Sequence, residues 1–160
     1  MIVVSDTSPI NYLLLIEEIG LLHKLFHKVL IPEAVFAELN HQLAPEPVLD
    51  WLREIPNWIE IHPVPDPEPI VSLGRGEQQA ITLAQRVGAD LLLIDEHKGR
   101  REALNRGLMV AGTLNILEIA SQRGLVDLTS SLQRLMKTNF RASPFLIKAI
   151  LERNSKGGHP

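Results

Sequence analysis

Leu91-Leu92-Leu93-Ile94-Asp95 is a run of four large aliphatic residues closed by an acid, and Ile2-Val3-Val4-Ser5-Asp6 has the same form near the start of the chain. A short unbroken apolar run reads as a strand buried on both faces, and helix signals follow each acid. That combination predicts parallel strands feeding helices, with ligands collecting at the carboxyl ends of the strands. Asp6 and Asp95 would be delivered there. Glu38 and Glu77, on predicted helices, would complete a pocket of four carboxylates that only a cation makes tolerable.

Working outward, apolar runs alternate with periodic segments. Ser8-Pro9 signals a helix start, with the helix running to about residue 16, and a second helix spans roughly 18–26. Lys28-Val29-Leu30-Ile31 reads as a strand and Pro32 opens a helix to Leu39. A helix at 48–55 and a strand at 58–61 follow. Pro63, Pro65, Pro67 and Pro69 mark a stiff loop. Beyond it come a helix at 76–87, the strand at 90–95, a helix at 97–106 and a short strand at 108–110. Helices at 114–123, 127–138 and 144–153 end the pattern. No internal repeat is visible. Strands separated by helices predict an α/β fold: a central, mostly parallel twisted sheet flanked by helices in three layers.

The 160 residues are 45% hydrophobic and 22% charged, as in an ordinary globular chain. The absence of cysteine excludes disulfides, thiolate metal sites and a thiol nucleophile. No basic region precedes the first apolar run, which Asp6 interrupts, and no run approaches membrane-spanning length, so a cytoplasmic protein without a membrane segment is expected. The net charge of −3 is unevenly spread: residues 1–80 hold 12 of the 19 acids and 4 of the 16 Lys and Arg. Lys98, Arg100, Arg101 and Arg106 surround the helix after Asp95. Lys137, Arg141, Lys148, Arg153 and Lys156 lie near the C-terminus. Basic flanks beside an acidic centre suit a polyanion, although solvated helix faces would have the same composition.

Glu77 is the most informative acid. Ala80, Ile81 and Ala84 stand three, four and seven residues after it, so it lies in line with a buried stripe. A helix N-terminus favours an acid in its first turn, but not one on the apolar side. Glu38 lies at the edge of the Val35/Leu39 face, where a solvated glutamate is the structural alternative. Asp6 and Asp95 have the alternative of capping helices, with Ser8 competing for that duty beside Asp6. Two carboxylates ~5 Å apart repel by ~3 kcal/mol at an effective dielectric of ~20, and four acids make six such pairs. The empty site must therefore protonate or take up cations. Oxygen-only ligands point to Mg²⁺ or Mn²⁺. The hydroxyls of Thr7, Ser8 and Thr113, with Asn115, could orient water or phosphate, against the alternative of turn and capping duty. His23 and His27 lack the adjoining glutamate of a zinc-protease helix, and Gly74-Arg75-Gly76 lacks the strand and third glycine of a dinucleotide fingerprint. Trp51 and Trp58 are expected to pack the small helical layer.

Ser5-Asp6-Thr7-Ser8-Pro9-Ile10 and the order of acids after it resemble a PIN domain. Leu73-Gly74-Arg75-Gly76-Glu77-Gln78-Gln79-Ala80-Ile81, Asp95-Glu96-His97-Lys98-Gly99-Arg100 and Gly112-Thr113-Leu114-Asn115-Ile116-Leu117 further resemble the toxin-like, VapC-type ribonuclease branch. The likeness covers roughly residues 2–126 and leaves 127–160 as a C-terminal helical extension of the same domain with a short flexible tail. It implies a PIN-like fold and a Mg²⁺- or Mn²⁺-dependent endoribonuclease, often the toxin of a toxin–antitoxin pair. By position it implies Asp6, Glu38, Glu77 and Asp95 as the catalytic acids, with Asp6, Glu77 and Asp95 holding metal. Glu77 stands where many PIN nucleases have aspartate, and Glu96 replaces the branch's second aspartate.

On this reading RNA is the substrate, with Thr7, Ser8, Lys98, Arg100, Arg101, Thr113 and Asn115 contacting it. The resemblance also implies a small antitoxin-like partner and a homodimer. The helices at 10–16 and 19–26, which carry more large aliphatics than one buried face needs, point to a partner as well. Two alternatives stay open. A catalytically silent PIN-like module would bind without cutting. A haloacid-dehalogenase-type phosphatase would use Asp6 as nucleophile, but it wants a second aspartate where this chain has Ser8.

Overall fold

The computed structural model describes residues 1–157. Five short strands, β1 (Val3–Ser5), β2 (Val29–Pro32), β3 (Ile59–His62), β4 (Leu91–Leu93) and β5 (Val110–Ala111), form one sheet in the order β3-β2-β1-β4-β5. Every pairing is parallel. The described helices are α1 (Thr7–Leu15), α2 (Gly20–Phe26), α3 (Glu33–Leu39), α4 (Glu46–Arg53), α5 (Arg75–Val87), α6 (His97–Asn105), α7 (Thr113–Gln122), α8 (Leu128–Met136) and α9 (Pro144–Gly157). The strand order reverses between β1 and β4, and this topological switch point opens a crevice beyond their carboxyl ends.

Alternation along the strands divides the core into two layers around the sheet. Val4, Leu30, Leu92 and Ile94 pack with Ala80, Ile81 and Ala84 of α5 and Ala103 of α6. Val3, Val29, Ile31 and Leu93 pack with residues of α1, α2, α3, α4, α7, α8 and α9. This is the expected three-layer α/β fold. The C-terminal helices belong to that second layer through Leu128, Leu132, Leu135 and Ile150. Residues 158–160 of the expected tail lie outside the described residues.

Boundaries differ from the sequence pattern for local reasons. α1 begins at Thr7 because Asp6 takes the extended N-cap conformation, so Pro9 falls in the first turn, where its missing N–H has no helical partner to lose. α2 begins at Gly20 rather than 18, after Glu17 turns the chain at φ 62°. α4 starts at Glu46, with Pro47 in its first turn. The strand expected at 108–110 is Val110–Ala111, because the Leu108 N–H closes α6 on the Ala103 carbonyl at 3.0 Å. Trp51 and Trp58 pack against the larger layer rather than the expected small one, since α4 and β3 lie on that side, and Trp58 stacks on exposed His23 at 5.4 Å.

The aliphatic surplus of α1 and α2 does not form a surface patch. Ile10, Leu13, Leu14, Ile16, Leu21, Leu22, Leu25 and Phe26 are all buried within the chain. The helices lie under α7 and β2, with α3 and α4 also against α1, so two faces are covered where the sequence pattern allowed for one. These residues therefore give no argument for a partner.

A buried glutamine joins α5 to α3. Gln79 accepts the Ala34 N–H at 3.0 Å, satisfying one of the free donors in the first turn of α3. Gln79→Leu should leave that donor without a partner and cost about 1–3 kcal/mol, measured as a fall in the urea midpoint with unchanged slope.

Candidate active site

Asp6 and Asp95 meet because β1 and β4 are neighbours. Ser5 pairs with Leu93, and the Asp6 N–H continues the ladder to the Leu93 carbonyl at 2.8 Å. Asp6 is 4% exposed. Its Oδ1 is buried without a hydrogen-bond partner, and so is Oε2 of Glu77. Burial is the largest cause raising the Asp6 carboxyl from 3.8 to about 7; the Thr7 backbone N–H opposes it, and Glu77, Glu38 and Asp95 add to it. Burial also raises Glu77, with Glu96 and Glu38 contributing and the Gly74 N–H opposing.

Each of the other acids is held by named donors. The Ser8 hydroxyl donates to Asp95 Oδ2 at 2.7 Å, and Thr113 donates its N–H to Oδ1 and its hydroxyl to Oδ2, both at 2.7 Å. Glu38 is exposed, yet its Oε1 accepts the Gly76 N–H at 3.0 Å and its Oε2 accepts the Thr7 hydroxyl. Glu77 has two roles. Its Oε1 accepts the Gly74 N–H at 3.2 Å and closes the N-terminus of α5, while Oε2 is buried close to Gly99, where an added Cβ would meet it at 2.8 Å.

The expected caps fall elsewhere. Asp6 occupies the N-cap of α1 without a side-chain capping bond, and Ser8 lies inside the helix with its hydroxyl on Asp95. Glu96, rather than Asp95, caps α6 by accepting the Gly99 N–H at 2.9 Å. Asn115 accepts the Gly112 N–H at 2.8 Å and closes α7. The hydroxyl protons of Thr7, Ser8 and Thr113 are thus committed to carboxylates, so these residues position acids. Arg100 bonds the Ile94 carbonyl at 3.0 Å and lines a cleft with Asp95 and Asn115. Lys98 and Arg101 are not brought into that cleft: both are exposed, and Arg101 reaches His97.

Gly76 and Gly112 carry part of the geometry, and the sequence reading passed over both roles. A Cβ on Gly76 would meet both Glu38 carboxylate oxygens at 2.6 Å. One on Gly112 would meet Asp95 Oδ1 at 2.7 Å and Arg100 Nη1 at 2.8 Å. Glycine at the opening of a helix, beside an acid motif, was the available signal.

A family model described as a PIN domain matches residues 2–156. The chain belongs to the PIN-domain family. No curated protein and no solved structure matches it. The PIN domain is a nuclease-type fold, its members generally being hydrolases of nucleic acid that use divalent metals. No helix among the described residues is long and apolar enough to cross a membrane. Nor do any three His, Asp or Glu side chains among those residues stand gathered as a ready-made metal cage. The donor set of this PIN domain nevertheless fits a hard cation. It is all oxygen, two buried oxygens lack partners, and burial, with repulsion from neighbouring acids added, raises Asp6 and Glu77.

The raised Asp6 carboxyl makes the metal-free fold sensitive to pH. Between pH 3.8 and about 7 the native state holds a proton that the unfolded chain has released, so stability falls as pH rises through this window. The loss approaches about 4 kcal/mol above it. Metal-free Asp6→Asn should therefore unfold at higher urea than wild type at pH 8, with the gap closing towards pH 5.

Gly76→Ala makes a second test of the site. The Glu38 carboxylate can swing away from the new methyl, so the melting temperature should change little while Glu38 leaves its place. A crystal structure of the variant checks that displacement.

Proposed function

We propose that this PIN domain is a metal-dependent endoribonuclease, hydrolysing RNA phosphodiester bonds as the toxin of a toxin–antitoxin pair. The observation that carries the nuclease reading is the pair of partnerless buried oxygens, Asp6 Oδ1 and Glu77 Oε2, at the switch point of the sheet. Asp6, Glu77 and Asp95 would hold Mg²⁺ or Mn²⁺, with Glu38 completing the acid set. When bound, the cation supplies Lewis-acid stabilisation of charge developing on a phosphoryl group.

The remaining work falls to the chain. Asp6, raised to about 7 chiefly by burial, is partly protonated near neutral pH in the free protein, and a cation compensating its charge would favour the carboxylate. Ser8 and Thr113 hold the Asp95 carboxylate from two helices; both hydroxyls fall on Oδ2, so Oδ1, which accepts only the Thr113 N–H, keeps a second lone pair for a ligand. Thr7 and the Gly76 N–H fix Glu38 across from them. The toxin assignment, the antitoxin partner and the homodimer rest on the sequence resemblance to the toxin-like branch.

End-labelled single-stranded RNA with Mn²⁺ tests the reading. Wild type should cut internal linkages, and Asp95→Asn should lose cutting while keeping RNA binding. A phosphatase would instead release phosphate from small monoesters, and a silent module would bind RNA and leave it whole. Equal cutting by wild type and Asp95→Asn would remove Asp95 from the catalytic set.

Mn²⁺ should also raise the melting temperature of wild type and not of Asp6→Asn. A ligand of the native state at about 100 times its Kd adds about 2.7 kcal/mol. Absence of any shift at millimolar metal would overturn the metal assignment.

A further inference from the structure

Beside the acids, a cleft of about 270 Å³ runs from Asp95 between the start of α7 and the helix α9. Its polar walls carry three guanidinium groups, Arg100, Arg141 and Arg153, against two carboxylates, Asp95 and Glu118. Arg100 is locked on the Ile94 carbonyl. Arg153 forks onto buried Glu118, with Nε at 3.1 Å from Oε2 and Nη2 on Oε1. Arg141 is exposed and belongs to none of the ion pairs among the described residues.

The segment that presents Arg141 is tied to the acid site. Tyr12 of α1, two turns beyond Asp6, donates its hydroxyl to Asn139 Oδ1 at 2.8 Å and meets the Phe140 ring edge-on at 4.9 Å. Burial raises the Tyr12 hydroxyl, Asp95 raises it further and Arg141 lowers it, so the tyrosine lies within the fields of both charges. Phe140 lines the cleft between Arg141 and the apolar side of α9. A free cation, an aromatic ring and a catalytic acid therefore border one concavity.

We propose that this cleft seats the nucleotide adjoining the scissile linkage of a single-stranded RNA, with its phosphate on Arg141 and its base against Phe140. The proposal rests on the nuclease reading for the position of the scissile linkage. A strand whose linkage lies at the four acids has its next phosphate one nucleotide away, and the cleft begins at Asp95. An unpaired base offers a π-face to the ring, whereas a paired one is stacked within its duplex. Glu118 restrains Arg153 in the free protein and subtracts charge from the same wall. The C-terminal segment thus supplies a cation to this cleft, which Lys98 and Arg101 do not line.

Binding without cleavage separates this inference from the nuclease reading. The probe is a fluorescein-labelled 2′-O-methyl RNA hexamer, which cannot cleave itself through its 2′-hydroxyls, titrated against the full chain in EDTA, which withholds the metal that hydrolysis would need, and followed by anisotropy at several salt concentrations. Arg141→Ala should weaken binding about tenfold and make the log–log salt slope shallower by about 0.7, the loss of one phosphate contact. Lys148→Ala should leave both unchanged, since Lys148 is an exposed α9 cation outside the cleft. Glu118→Gln should tighten binding by releasing Arg153. Wild-type affinity and slope in Arg141→Ala would overturn the proposal, as would failure of the wild type to bind the hexamer. If Mn²⁺-dependent cutting persists in Arg141→Ala with unchanged KM, the nuclease reading stands and the cleft proposal falls. If binding depends on Arg141 but no RNA is cut, the cleft stands and the nuclease reading falls.

Discussion

The site depends on a crowding of acids that the backbone of the sheet enforces. β1 and β4 are hydrogen-bonded neighbours, and each delivers an aspartate at its carboxyl end. Helix α5 then sets Glu77 against them, and Glu96 and Glu38 add their charges. A buried carboxylate oxygen with no partner is costly, and here there are two. Protonation relieves the strain near neutral pH, and a divalent cation would relieve it more completely. The sheet keeps the acids together whether or not either is present, because its ladder and two apolar layers do not depend on the site.

Around this centre the polar groups divide by task. Hydroxyls from α1 and α7 point inward at carboxylates, and backbone N–H groups at the openings of α5 and α7 do the same. These bonds hold the carboxylates of Asp95 and Glu38 in place, while Asp6, raised chiefly by its burial, keeps Oδ1 without a partner. A buried acid with a strongly raised proton affinity, set among other acids, is characteristic of sites that do chemistry. Glycine at positions 76 and 112 leaves these carboxylates their places, because a side chain there would occupy the space of Glu38 or Asp95.

The scaffold that carries the site is built from short elements. No described strand exceeds four residues, so little of the sheet's stability comes from any one ladder. Apolar packing on both faces, and buried links such as Gln79 to Ala34, hold the strands in place. α8 and α9 pack on the same layer as the N-terminal helices, which brings α9 alongside α7 and gives the site a basic wall.

The strands and the acids were legible because they depend on local pattern. Aliphatic runs ending in Asp6 and Asp95 forced the parallel α/β reading, and Glu77 declared itself by lying on the stripe of Ala80, Ile81 and Ala84. Helix starts were less legible, since Asp6, Ser8 and Asp95 are all favoured caps, yet Glu96, a residue not usually preferred there, caps α6. The strand order also decided which hydroxyls face which carboxylates: Ser8 reaches Asp95 across 87 residues and Thr7 reaches Glu38 across 31. The same long-range packing turned the aliphatics of α1 and α2 inward and set Arg100 and Arg141 with Asp95 on a cleft that Lys98 and Arg101 do not line. Periodicity fixes which side of a helix is apolar, but the direction in which a polar side chain finds its partner is set by elements distant in the chain.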